Sequence, residues 1–200
     1  MSTTQTDPWV ARDLARVAVF AALIVVLGVV GPIPVPGLVP ITAQTLGVML
    51  AGAVLGWKRG AAAVGIVLVL VAVGLPVLAG GGGGFGSFFG ATGGYLIGWL
   101  FGAAAIGAIA HSGRISWWRI GLGTIVGGIP VIYAFGLPVQ SLVAGQPLGV
   151  SALQSLTFLP GDLIKVVVAT FLSLVLARAY PPAFPASVRA KRPSSAPNAA

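Results

Sequence analysis

Asp162 and Lys165 are the two residues of this 200-residue chain whose types and spacing could do chemistry. Asp162 is the only acid after Asp13, and Lys165 is the only base between Arg119 and Arg178. Both lie in T-F-L-P-G-D-L-I-K, residues 157–165, which opens an apolar run continuing to Ala177. A Pro-Gly pair leading a hydrophobic helix puts Asp162 in the first turn, where unpaired N–H groups and the helix dipole favour a carboxylate. Three residues later Lys165 returns to the same side of the helix. Charges this close to hydrocarbon are costly unless they are paired, hydrated or lining a cavity. On the residues alone two readings compete: a helix-capping aspartate with a snorkelling lysine, or a polar ligand site on one face of a helix bundle.

The elements that must position this pair belong to a membrane protein. Hydrophobic residues make up 57% of the chain and charged residues 7%, with a mean hydropathy of +1.03, whereas a soluble domain has roughly 25% charged residues. Thirty glycines and 15 prolines fit closely packed or broken membrane helices. The net charge of +8 comes from short clusters between apolar runs, a pattern of topology and not of a nucleic-acid surface. With no cysteine, disulfides, Fe–S clusters and thiol chemistry are excluded. The polar first 16 residues, and the lack of an A-x-A site after the first apolar run, argue against a cleaved signal peptide.

The apolar runs predict an all-α integral membrane protein with six transmembrane helices, near 14–30, 41–57, 61–78, 92–110, 120–135 and 162–177. Residues 14–178 then form one transmembrane domain. An N-terminal tail, 1–13, precedes it, with Trp9 at the membrane surface, and a basic Pro- and Ser-rich tail, 179–200, follows and is expected to be disordered. Between the first two runs lies P-I-P-V-P-G-L-V-P, residues 32–40, whose prolines forbid helix. Its Ile33, Val35, Leu38 and Val39 should fold back over the bundle. Residues 79–90 read A-G-G-G-G-G-F-G-S-F-F-G; three aromatics in so glycine-rich a segment predict a loop packed down onto the bundle. Gly94, Gly98 and Gly102 are spaced by four and predict one smooth face for close helix contact. Residues 140–159 read as a moderately polar, partly helical connection.

Basic residues recur at alternate ends of the six runs: Arg12 and Arg16, Lys58 and Arg59, Arg114 and Arg119, then Arg178, Arg189, Lys191 and Arg192. The positive-inside rule makes those ends cytoplasmic. Both termini are then inside, and the Pro loop, the Gly/Phe loop and the F-L-P-G-D segment lie outside. Two apolar loops that can close, one isolated charged pair and glycine faces together favour the ligand-site reading, near the outer surface. Gln44, at the mouth of the second run, either hydrogen-bonds a loop carbonyl or contacts a ligand, and Thr92 reads as the N-cap of the fourth run. No third catalytic group accompanies Asp162 and Lys165, and His111 has no second metal ligand nearby. Neither an enzyme, a metal site nor a resident cofactor is expected. The absence of G-x-x-x-x-G-K-[ST] excludes a built-in nucleotide motor.

Several long motifs in order carry a resemblance. They are P-I-P-V-P-G-L-V-P-I-T-A-Q-T-L-G-V at 32–48, L-A-G-A-V-L-G at 50–56, G-L-P-V at 74–77, G-A-T-G-G-Y-L-I-G at 90–98 and F-L-P-G-D-L-I-K at 158–165. Over roughly residues 12–178 the chain closely resembles the BioY family, the biotin-specific S components of energy-coupling-factor (ECF) vitamin transporters. The resemblance implies a six-helix bundle in the cell membrane that takes up biotin, with a site near the extracellular side closed by the first and third external connections. It also implies docking, through small residues of the first helix, on a transmembrane coupling subunit driven by two cytoplasmic ATPases. Ala11, Ala15, Ala18 and Ala22 offer such a face here, and toward biotin Gln44, Thr92 and Tyr95 are second-rank polar contacts while Phe85, Phe88 or Phe89 could cover its ring. Whether the chain transports with or without that module, and whether it forms a homo-oligomer, stays open, as does which end of biotin meets Lys165. A subunit of this architecture for another vitamin, and an assembly protein whose polar residues only cap helices, are the alternatives.

Overall fold

The computed structural model describes residues 10–34, 41–185 and 188. Eight α-helices stand among them: α1 (Ala11–Val29), α2 (Gln44–Leu55), α3 (Trp57–Ala72), α4 (Gly93–Ala110), α5 (Trp117–Val126), α6 (Ile132–Ala144), α7 (Leu148–Ser155) and α8 (Leu159–Ala179). A π-helical turn at Gly127–Val131 joins α5 to α6, and a 3-10 turn at Leu156–Phe158 joins α7 to α8. Three of the resulting helical stretches are long and apolar enough to cross a membrane: Gly93–Ala110, Trp117–Ala144 and Leu148–Ala179. Gln44–Leu55 is apolar but shorter. The all-α expectation holds.

Several expected boundaries move, and the third run, placed at 61–78, is helix over Trp57–Ala72. The fifth run, placed at 120–135, continues as helix to Ala144, and the expected connection at 140–159 is largely α7 and the turn leading into α8. Gly136 and Pro138 read as a stop, yet Pro138 sits inside α6. Within a membrane bundle a proline is tolerated because neighbouring groups re-satisfy the backbone it frees. Pro130 is absorbed differently, inside the π-helical turn.

α4 is the central post. It packs on α2, α3, α5 and α6, and its glycines let backbone meet backbone. A Cβ on Gly98 would lie 2.7 Å from the Ile132 carbonyl oxygen, and one on Gly102 would lie 2.7 Å from that of Gly127. A Cβ on Gly94 would collide with the Phe135 carbonyl. The predicted smooth face is thus the seam between α4 and the α5–α6 stretch.

The two ends of the bundle differ in chemistry. At one end Asp13, buried, pairs with Arg59 at 2.8 Å and with Arg16 at 3.1 Å. Arg16 also donates to the Pro182 carbonyl. Pro181–Ala183 forms a 3-10 turn, and Phe184 is fully buried beside His111. The folded part therefore runs past residue 178, where the basic tail was expected to begin, because Phe184 finds apolar cover. It likewise begins at Ala11, inside the expected 1–13 tail. Trp9, Val35, Leu38, Val39, Arg189, Lys191 and Arg192 lie outside the described residues. The opposite end holds a cavity.

Candidate functional site

Pro160 and Gly161 open α8 and place Asp162 in its first turn, as the sequence predicts. Lys165 Nζ donates to Asp162 Oδ1 at 3.0 Å and to Thr45 Oγ1, on α2, at 2.8 Å. Tyr133, on α6, donates its hydroxyl to Asp162 Oδ2 at 2.6 Å. The Asp162–Lys165 pair thus ties α2, α6 and α8 together. Asp162 is only 6% exposed, so its charge depends on these charge-assisted bonds.

Asp162 and Lys165 line a cavity of about 290 Å³, near the lower end of the roughly 300–1,000 Å³ usual for small-molecule sites. Its remaining wall is largely apolar: Ile41, Leu78, Leu96, Trp99, Ile132 and Phe158. Thr42, Thr45, Ser87, Thr92, Tyr95 and Tyr133 add polar groups. Gly128, in the π-helical turn, also lines it; a Cβ there would collide with Met49. The π turn therefore sits at the floor of the site, a common placement for such irregularities.

The loop after α3 forms part of the wall. Gly80, Gly81 and Gly84 adopt positive φ, a conformation that costs a glycine nothing, and Leu78 donates back to Gly82 at 2.9 Å. Ile33 and Ile41 exchange two backbone hydrogen bonds at the base of the Pro loop. Leu78, Ala79, Gly82, Ser87 and Gly90 all face the cavity. The loop between α3 and α4 therefore supplies much of the wall, and from the connection between α6 and α8 Phe158 reaches it.

Of the residues expected at the site, Asp162, Lys165, Gln44, Thr92 and Tyr95 line one cavity. Gln44 does so with its amide already engaged. It donates to the carbonyls of Ile24 (3.2 Å) and Val77 (3.0 Å) and accepts from the Ala79 N–H (2.9 Å). It staples α1 and the glycine loop onto α2. Tyr95 turns its hydroxyl away to Gln140, at 2.7 Å, and packs its ring edge-on against Tyr133.

Phe85 and Phe88 are not among the residues lining the cavity. Phe85 is 64% exposed and clusters with Phe88 and Phe89, while Phe88 packs on the apolar core. The loop presents its glycine and serine edge to the cavity instead, because backbone without side chains can approach closely there. Ala11, Ala15, Ala18 and Ala22 are all exposed on α1, opposite its buried stripe of Val17, Ala21, Ile24 and Gly28.

Sequence reasoning missed Thr45, Trp99, Tyr133 and Gln140. Tyr133 had a usable signal. A tyrosine hydroxyl inside an apolar run needs an acceptor, and Asp162 is the one carboxylate at that end of the chain. Trp99 had none, since α4 is apolar on every side.

The sequence profile of the BioY family matches residues 1–182. A protein of Rhizobium etli described as "Biotin transporter BioY" is 48% identical over 178 residues, covering 85% of this chain and 95% of that protein. Its counterpart in Rhodobacter capsulatus is 46% identical over 183 residues, covering 86% and 96%. A crystal structure described as the S-component for biotin from an ECF-type ABC transporter superposes with a TM-score of 0.81 at 33% identity, covering 92% of this chain and all of that one. With the family profile spanning the whole bundle and relatives of that family nearly half identical over most of its length, the chain belongs to the BioY family.

Proposed function

We infer that this protein is a biotin-binding membrane transport subunit, an S component and not an enzyme. The observation that carries the reading is the Asp162–Lys165 pair, held at 3.0 Å in the wall of a mostly apolar cavity. Biotin matches that arrangement: a ureido group with N–H donors beside a C=O acceptor, then an apolar thiophane and valeryl chain, then a carboxylate. The ureido group is the end that meets the pair. Its N–H donates to Asp162 while its C=O accepts from Lys165, and the pair stays neutral. A valeryl carboxylate in the same place would set two anions against one ammonium at low dielectric, where like charges repel strongly. The carboxylate is better accommodated by Thr92 at the amino end of α4, where free amides and the helix dipole favour an anion.

The chain is proposed to cross the cell membrane six times with both termini in the cytoplasm. The support is the gathering of Asp13, Arg16 and Arg59 at one end and the cavity at the other. The cavity then opens toward the outside, and its cargo leaves inward. We further propose that the exposed Ala11, Ala15, Ala18 and Ala22 face of α1 docks on an ECF transmembrane coupling subunit served by two cytoplasmic ATPases. Titrating the purified protein in detergent or nanodiscs with biotin, desthiobiotin, thiamine and riboflavin tests the ligand. Saturable binding of biotin but not of thiamine or riboflavin is expected. Preference for either of those vitamins, or no saturable binding, would overturn the assignment. Co-purification with ATPase subunits tests the partnership separately.

A further inference from the structure

At the far end of α4 from the cavity, the turn into α5 forms an open hollow of about 750 Å³ lined by Gly113, Arg114, Ile115, Ser116, Trp118 and Arg119. The 18 residues of α4 put about 27 Å between the two places at 1.5 Å per residue. The Arg119 guanidinium is fixed over Gly113, which has no side chain to exclude it. Its Nη1 donates to the Arg114 carbonyl at 3.3 Å, and its Cζ stands 4.9 Å from the Trp118 ring. Arg119 Nε and the Ser116 hydroxyl are both buried, and neither has a hydrogen-bond partner among the described residues. Ser116 is the N-cap of the ten-residue α5, whose first amides are unpaired by construction.

The chain has three acids. Asp13 is taken by Arg16 and Arg59, Asp162 by Lys165, and Asp7 lies outside the described residues. Among the described residues, no acid pairs with Arg114 or Arg119. Two partnerless donors, Arg119 Nε and the Ser116 hydroxyl, and two arginines with no paired acid among the described residues line one hollow, so its complement is an oxyanion with several acceptor oxygens. The neighbouring Trp117 is 71% exposed. An exposed indole flanking arginines at the end of a membrane helix marks headgroup depth, which makes a lipid the source of the anion.

We propose that the α4–α5 turn is a binding site for the phosphate of an anionic phospholipid, held by Arg114, Ser116 and Arg119 with Trp118 backing the guanidinium. The test is native mass spectrometry of the protein extracted from mixed phosphatidylglycerol and phosphatidylcholine bilayers, reading which lipid it retains. Selective retention of phosphatidylglycerol by the unaltered protein is expected. Retention should fall about fivefold in R114Q, the effect of one basic residue at a lipid surface. It should fall also in R119K, which keeps the charge but loses the planar fork. K58Q and R178Q remove equal charge elsewhere at this end and should retain lipid as before. Biotin titration of each variant reports that the bundle is intact, and that readout is independent of the lipid result. Equal losses in K58Q and R178Q would reduce the effect to diffuse charge and overturn the site. Unchanged retention in both arginine variants would overturn it too. Displacement of the lipid by excess inorganic phosphate would reassign the hollow to a soluble anion, against the lipid.

Discussion

Asp162 accepts from Lys165 on one oxygen and from Tyr133 on the other, so a ureido N–H must use a lone pair that these two leave. Asp162→Asn keeps the shape but removes the charge, and Lys165 loses its only anionic partner among the described residues. A hydrogen bond to a charged group contributes about 1.5–3 kcal/mol, so biotin affinity should fall about 10- to 100-fold, measured by calorimetric titration of the folded variant. Unchanged affinity would take Asp162 out of the site. Gln44→Leu should behave in the opposite way. It strips partners from the Ile24 and Val77 carbonyls and the Ala79 N–H at once, and each buried group left unsatisfied costs about 1–3 kcal/mol. Thermal stability should drop markedly, and biotin affinity should drop less than in Asp162→Asn. A stable Gln44→Leu protein with abolished binding would make Gln44 a direct ligand contact instead of a staple. The contrast shows what a sequence discloses at this scale. An isolated Asp and Lys three residues apart announce themselves against hydrocarbon. Whether a glutamine amide meets ligand or backbone depends on which carbonyls a distant loop delivers, and spacing carries no trace of that.

At the scale of elements, the α4 seam decides how rigidly the cavity is held. Gly98 sits where any side chain would press on the Ile132 backbone, whereas a Cβ on Gly65 would meet nothing closer than Leu100 Cδ1 at 3.9 Å. Overpacking costs about 1–3 kcal/mol, so Gly98→Ala should lower the unfolding temperature in detergent while Gly65→Ala leaves it unchanged or higher. Equal melting temperatures would mean that α4 and α6 slide freely. The four-residue glycine spacing made this seam legible in advance. The course of the chain from Gly127 to Phe158 was not, because the same glycines and prolines that end a helix in water are absorbed here. Pro130 enters a π turn and Pro138 stays within α6. Local breaker signals assume a solvent ready to take the freed carbonyl, and a packed bundle supplies other acceptors and donors. The Gly/Phe loop was half legible: it does pack down, but its glycine edge and not its rings meets the cavity.

Across the whole molecule the chemistry is polarised along the helices. The Asp13–Arg16–Arg59 cluster, the basic α4–α5 turn and the buried Phe184 lie at one end, and the Asp162–Lys165 pair, with its cavity, lies at the other. A membrane reads that asymmetry, since clustered Lys and Arg resist translocation. The absence of cysteine makes the orientation directly measurable with single introduced thiols. Gly86 lies in the glycine loop with open space where a Cβ would be, and Ser112 is exposed just after α4. Gly86→Cys should react with a membrane-impermeant maleimide in right-side-out vesicles and be protected in inside-out ones, and Ser112→Cys should do the reverse. Saturating biotin should leave Ser112→Cys labelling unchanged, because that site is a helix length away from the cavity. If the two labelling patterns were exchanged, the cavity would face the cytoplasm. A protein so oriented could not collect a scarce vitamin from outside, and the uptake reading would fall even with biotin binding intact.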